Sequence, residues 1–217
     1  MPTAFAVKGR VPSLRKELLA RTSLAWPLTA FTVDTLGGSG EATLPQVETG
    51  HASVLGRLHS VDGEGVVRME DRLDTGIDDL WGALTDPDRL AHWFGEVEGE
   101  LSQGGEFRVR IALAGERRGR VEACEPPQRL LLTMRDPDPQ PGQPEQTVIE
   151  AQLIAEGAQT RLVWEERGMP VNLLPAYGAG IQIHVEHLAD YISGRELRNV
   201  EARWNELFPA YEALGVS

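Results

Sequence analysis

From residue 53 to residue 217 the sequence predicts one α+β domain, a curved antiparallel sheet with two short helices and a long C-terminal helix. Three observations carry that expectation. Short runs between residues 54 and 166 alternate apolar and polar residues and are separated by Gly-, Asp- and Pro-rich turn signals, as half-buried strands do. Ile181, Val185, Leu188 and Ile192 then recur at helical spacing before Gly194, so a helix of several turns must lay an apolar stripe on something large. Hydrophobic residues at 41% and charged residues at 25% supply an ordinary globular core and surface.

The elements follow in order. Val54–His59 and Gly65–Leu73 flank Asp62-Gly63, a two-residue hairpin signal. In the second run Val67, Met69 and Leu73 share one face, against Arg68, Glu70 and Arg72 on the other. Thr75 with Asp78 three residues on reads as a capping box, opening a helix with Ile77, Leu80, Trp81 and Leu84 on its apolar face. Asp86-Pro87 starts a second short helix, because Pro suits the first helical position, and that helix carries Leu90, Trp93 and Phe94 up to Gly95. Glu98–Leu101 and Glu106–Ala114 are strands joined by a Ser-Gln-Gly-Gly turn; Phe107, Val109, Ile111 and Leu113 alternate with Arg108 and Arg110. Arg117–Cys124 and Arg129–Met134 flank Pro126-Pro127. A loop with Pro137, Pro139, Pro141 and Pro144 cannot join a ladder, and a last hairpin, Gln146–Glu156 with Thr160–Glu166, turns at Gly157. The long helix is expected over Ala176–Ser193, and Leu197, Val200, Trp204, Leu207 and Tyr211 predict a further short amphipathic helix.

Residues 1–52 are of another kind. They hold Lys8, Arg10, Arg15, Lys16 and Arg21 with few acids, and the loose tract Gly37-Gly38-Ser39-Gly40. Leu18–Val33 is the nearest approach to the roughly 20 apolar residues that span a bilayer, but Arg21 and Pro27 interrupt it. A signal-peptide reading of Lys8–Val33 lacks a small-x-small cleavage site. The segment is expected to be a disordered or weakly helical leader; an assembly arm, sequence upstream of the true start and an organellar address are the alternatives. No function attaches to it.

Charge and residue inventory exclude several function classes. The net charge is −12, from 33 acidic and 21 basic residues, a field that repels nucleic-acid backbones and anionic membranes. The only cysteine, Cys124, rules out an internal disulfide and a Cys-cluster metal site; it is expected to be a small strand residue. Neither Gly-x-Ser-x-Gly nor a phosphate-cradling Gly-x-x-x-x-Gly-Lys occurs. His184 and His187 stand three apart on the long helix, but only Glu186 and Asp190 lie nearby, and His187 is expected to face solvent rather than a metal. Asp78 and Asp79 fit a helix N-terminus, whose dipole favours acids. Glu165 and Glu166, adjacent on a strand, point to opposite faces. Arg117, Arg118 and Arg120 read as a solvated strand edge.

Several local motifs, taken in order, resemble one known group. These are Leu80-Trp81-Gly82-Ala83-Leu84-Thr85-Asp86-Pro87 with Trp93-Phe94; Gly104-Gly105-Glu106-Phe107; and Gly119-Arg120-Val121 with Pro126-Pro127-Gln128-Arg129-Leu130. Gly168-Met169-Pro170, Tyr177-Gly178-Ala179-Gly180 and the tail Trp204-Asn205-Glu206-Leu207-Phe208-Pro209-Ala210-Tyr211 complete the series. The chain over roughly residues 55–215 resembles the SRPBCC (START-like) superfamily, and within it the bacterial homologues of the heat-shock-protein ATPase activator. The resemblance implies the helix-grip fold, a curved antiparallel sheet wrapped around the long C-terminal helix with two short helices after the first strand.

It also implies a mostly apolar cavity between sheet and helix, the usual form of a small-molecule site. Trp93 and Phe94 would stand at its mouth. Phe107, Val109, Ile111, Leu132, Met134 and Trp164 would line it from the sheet, and Tyr177, Ile181, His184 and Val185 from the helix. Plain core filling is the alternative for each of them. The expected function is binding of a small apolar molecule, without cofactor or metal, in a cytoplasmic protein that binds neither nucleic acid nor membrane. An edge strand and the N-terminal segment leave room for a homodimer. An enzyme of the polyketide cyclase/aromatase type would use the same cavity, with His184, Tyr177 and Arg110 supplying its polar groups. A chaperone-ATPase cofactor is the third class, implied by the branch alone.

Overall fold

The computed structural model describes residues 55–111, 115–139 and 142–217; the expected leader, 1–52, lies outside them. The hairpin at Asp62-Gly63 opens the sheet. Both residues have positive φ, 53° and 84°, the backbone that a two-residue turn between twisted strands requires. Across it β1 (Arg57–Val61) pairs antiparallel with β2 (Glu64–Leu73).

The helices that follow are capped differently from expectation. Gly76 is the N-cap of α1 (Ile77–Thr85), and no side chain caps it. The expected box does not form because the Thr75 hydroxyl donates instead to the Asp79 carboxylate at 2.7 Å. Asp86 does cap: its carboxylate accepts from the backbone N–H groups of Asp88 and Arg89, and Pro87 begins α2 (Pro87–Leu90). α2 is a single turn, so Trp93 and Phe94 sit in the turns beyond it and not on a helix face.

A meander of β3 (Glu96–Gly99), β4 (Glu106–Ile111), β5 (Gly115–Glu125), β6 (Arg129–Arg135), β7 (Thr147–Glu156) and β8 (Gln159–Met169) completes the sheet. The spatial order is β1-β2-β8-β7-β6-β5-β4-β3, with every pair antiparallel. β8 returns beside β2, so the hairpin that starts the domain is joined to its last strand. β5 is interior to the sheet, between β4 and β6, which corrects the strand-edge reading of Arg117, Arg118 and Arg120. Gly119 stands opposite Phe107 across β4 and β5. A Cβ there would lie 2.2 Å from the Phe107 ring, so only glycine lets that ring lie flat on the strand.

After a 3-10 turn at Val171–Leu173, α3 (Leu174–Ile192) crosses the concave face. Ile181, Val185 and Leu188 are buried as the stripe predicts, while Ile192 is half-buried at the helix end. The core lies between α1, α3 and the inner face of the sheet; Leu80, Val67, Val121, Leu162, Leu174 and Leu188 are almost wholly enclosed.

The tail then folds back. α4 (Val200–Leu214), capped by the Asn199 side chain, buries Trp204, Leu207 and Tyr211. Each such side chain is worth about 1.5–3 kcal/mol of apolar burial. With α4 in place α3 has little free surface, and Gln182, Glu186, His187 and Asp190 are all buried. His187 is therefore not solvated as expected: its Nε2 lies 3.0 Å from the Arg198 carbonyl oxygen, under the segment that links α3 to α4. Among the described residues no helix is long and apolar enough to cross a membrane.

Candidate functional site

Sheet and helix do not close completely. At one end of α3 they leave a cleft of about 130 Å³. The helix contributes Ala176, Tyr177, Gly180, Ile181 and His184, spaced so that successive turns present one face. The sheet answers with Ile111, Met134 and Ile149, and Phe94 comes from the turns after α2. Deeper in, a space of about 40 Å³ lies beyond Phe94, Met134 and Ile149, which line both. Its other walls include Trp93, Phe107, Leu132 and Trp164.

Of the residues singled out in the sequence, Phe94, Ile111, Met134, Tyr177, Ile181 and His184 face the cleft. Trp93, Phe107, Leu132 and Trp164 face the inner space. Val109 and Val185 line neither and are packed in the core. Trp93 is not at the mouth. It is 4% exposed, and its indole N–H donates to the Ala83 carbonyl at 3.0 Å, tying the turn after α2 to α1. Arg110 points away on the outer face of β4, against Glu96 at 3.4 Å, because its neighbours Val109 and Ile111 take the inner face.

The cleft also holds polar groups that the sequence did not assign to it. Glu166 faces it from β8, with one carboxylate oxygen accepting from the Trp164 indole N–H at 3.0 Å. Arg117 on β5 and Asp136 just after β6 stand at the rim, 3.1 Å apart and both half-buried. Strand parity carried the missing signal. Leu162 and Trp164 face inward, so Glu166 two residues on must do the same. Arg117 lies opposite Val109 in the ladder, hence on the inner face. Asp136 follows the last residue of β6, and only the fold brings it to Arg117.

Burial sets the protonation of these groups. It pushes the Glu166 carboxyl up to about 7, with the Trp164 hydrogen bond pulling the other way. It pushes the Tyr177 phenol up to about 12, so Tyr177 is a donor at neutral pH. It lowers His184 to about 4, with the nearby His187 adding to the effect, so the imidazole is neutral. The His184 ring meets the edge of Phe94 with ring centroids 5.3 Å apart. His184 faces the cleft while His187 faces Arg198, so the His-x-x-His pair is split between two sides of α3. Among the described residues no three His, Cys, Asp or Glu side chains are grouped to hold a metal ion. The result is an apolar slot with a neutral imidazole, a phenol and a carboxyl poised near neutrality, and a self-neutralised ion pair at its rim. Such an arrangement can enclose an apolar body and orient one or two polar substituents.

Comparison with known proteins agrees with this architecture. A family model described as Activator of Hsp90 ATPase homolog 1-like protein matches residues 74–193. The crystal structure of CalU16 from Micromonospora echinospora is similar at 28% identity, covering 73% of this chain and 94% of that one, with a TM-score of 0.58. The solution NMR structure of the same protein gives 26% identity, 77% and 97% coverage and a TM-score of 0.60. DynU16, a protein in the dynemicin biosynthetic locus, is similar at 26% identity over 62% of this chain and 50% of that one, with a TM-score of 0.55. Among curated proteins none matches.

Proposed function

The chain belongs to the Activator of Hsp90 ATPase homolog 1-like family, an SRPBCC branch with the helix-grip fold, and on that premise we propose that it binds a small, largely apolar molecule between sheet and α3. One observation carries the reading: sheet and helix stop short of each other and leave a cleft of about 130 Å³ with Phe94, Ile111, Met134 and Ile181 in its walls. A space of that order accommodates a single aromatic ring, and the open rim lets a larger ligand extend outward. The setting that goes with it is cytoplasmic; the single cysteine, Cys124, offers no internal disulfide framework of the kind secreted scaffolds use.

The test is titration with naphthalene-type fluorescent probes, in the wild-type protein and in Ile181→Trp. The indole would occupy the cleft, and probe affinity is expected to fall by about tenfold or more, the loss of well over 1 kcal/mol of apolar contact. If the wild-type protein binds none of these apolar probes, the reading is lost.

A second reading has an observation of its own. Glu166, Tyr177 and His184 all face the cleft, and a relative lies in a biosynthetic locus. A cyclase-like enzyme would use the Glu166 carboxyl, whose proton affinity near neutrality suits acid–base work. His184, near 4, is the weaker base. Turnover of a polyketone substrate, abolished in Glu166→Gln with binding retained, would separate catalyst from carrier. A chaperone role rests on the family description and on none of these residues.

A further inference from the structure

The polar groups around the cleft are unequally matched. Arg117 and Asp136 neutralise each other at 3.1 Å. Arg135, at the outer rim, donates to the Gln146 side chain at 2.8 Å. Tyr177 and His184 carry no charge at neutral pH, the first held protonated and the second deprotonated by burial. Among the described residues Glu166 is left as the one acid facing the cleft without a cation. Among the described residues its carboxyl receives a single hydrogen bond, from Trp164. A carboxylate so placed is costly unless it is paired.

We propose that Glu166 is a specificity-determining residue of the cleft and that it selects ligands carrying a basic nitrogen, an alkylamine on an aromatic or alicyclic body. This rests on the ligand-binding reading and names the class of ligand. The second carboxylate oxygen accepts from the ammonium group, while the body of the ligand lies against Phe94, Ile111 and Ile181. An ammonium next to Glu166 supplies the counter-charge that the protein withholds, and its hydrogen bond to the carboxylate is charge-assisted. An anionic ligand would stand beside the same carboxylate and be repelled. The field of a chain with a net charge of −12 favours approach of the same class of ligand.

The experiment compares four probes of one shape: naphthylmethylamine, naphthylmethanol, methylnaphthalene and naphthoate. Each is titrated by calorimetry into the wild-type protein and Glu166→Gln at mildly alkaline pH, where carboxyl and amine are both charged. Gln keeps the side-chain shape and an acceptor for Trp164, and a melting curve checks that the variant is folded. The wild-type protein is expected to bind the amine about tenfold or more tighter than the methyl and hydroxymethyl probes, as a hydrogen bond to a charged group provides. Naphthoate should bind weakest. In Glu166→Gln the amine should lose its advantage, while methylnaphthalene binds as well as before or better. An amine preference that survives in the variant would come from the overall charge and would overturn the proposal. Methylnaphthalene binding with no preference for the amine would also overturn it and leave the cleft reading standing. If no probe binds, both fall.

Discussion

Glu166 and His184 are half-buried titratable groups that face the cleft, with opposite consequences for stability. The folded chain holds the Glu166 proton to about 7 against an ordinary 4.5, so it binds more protons than the unfolded chain across that window. Stability from this group therefore falls as pH rises from 4.5 to about 7 and is constant above. His184 titrates near 4 against 6.5, so there the unfolded chain binds the extra proton, and stability falls as pH drops from 6.5 toward 4. In the wild-type protein the two slopes oppose each other where the windows overlap. Glu166→Gln removes only the first. The variant's stability advantage, measured by urea unfolding, is expected to be near zero at pH 4.5 and to grow toward pH 7, reaching on the order of 2 kcal/mol. A constant advantage across that range would mean that the carboxyl is solvated. At this scale the sequence was partly legible. Inward parity placed Phe107 and Trp164 correctly on the inner face, and the same rule, carried two residues further, gives Glu166.

At the scale of elements, the informative seam is between α3 and α4. Gln182, Glu186 and Asp190 recur every fourth residue on α3 and are all buried. Arg203 and Arg198 hold Glu186 at 2.7 and 3.0 Å, and Arg198 and Arg195 hold Asp190 at 2.8 and 3.0 Å. Tyr211 ends the chain of contacts: its hydroxyl accepts from the Gly56 N–H at 2.7 Å and donates to the Gln182 side-chain oxygen. Gly178 lets α4 approach, since a Cβ there would lie 2.7 Å from the Tyr211 ring. Tyr211→Phe would leave a buried N–H and a buried amide oxygen unsatisfied. It is expected to cost about 1–3 kcal/mol in chemical unfolding. Probe affinity should be unchanged, because this seam is on the side of α3 away from the cleft. A matching loss of affinity would show that the two faces of the helix are coupled. The stripe that predicts α3 marks its sheet-facing side only. The polar stripe beside it looks solvent-facing until the arginines of the tail are known to cover it.

For the whole molecule, ligand binding and folding are linked. A probe that binds only the folded chain stabilises it by about 2.7 kcal/mol at a hundredfold excess over Kd, and melting should rise by several degrees for a chain of this length. Ile181→Trp should melt normally and lose about half of that increment or more; a variant that keeps it whole would place the probe elsewhere. The sequence by itself determined the elements, their order, the inner faces of the strands and the sheet-facing side of α3, because alternation, helical spacing and turn chemistry are local. Asp62-Gly63, Asp86-Pro87 and the stripe ending at Gly194 needed no tertiary information. Tertiary structure decided the rest: that β5 is interior, that Arg117 meets Asp136, that α4 covers the acids of α3, and that sheet and helix part near Glu166 and leave a cleft. Those features depend on how surfaces distant in the chain fit together. A residue facing a gap and one facing a packed neighbour have the same local pattern, so periodicity cannot separate lining from core.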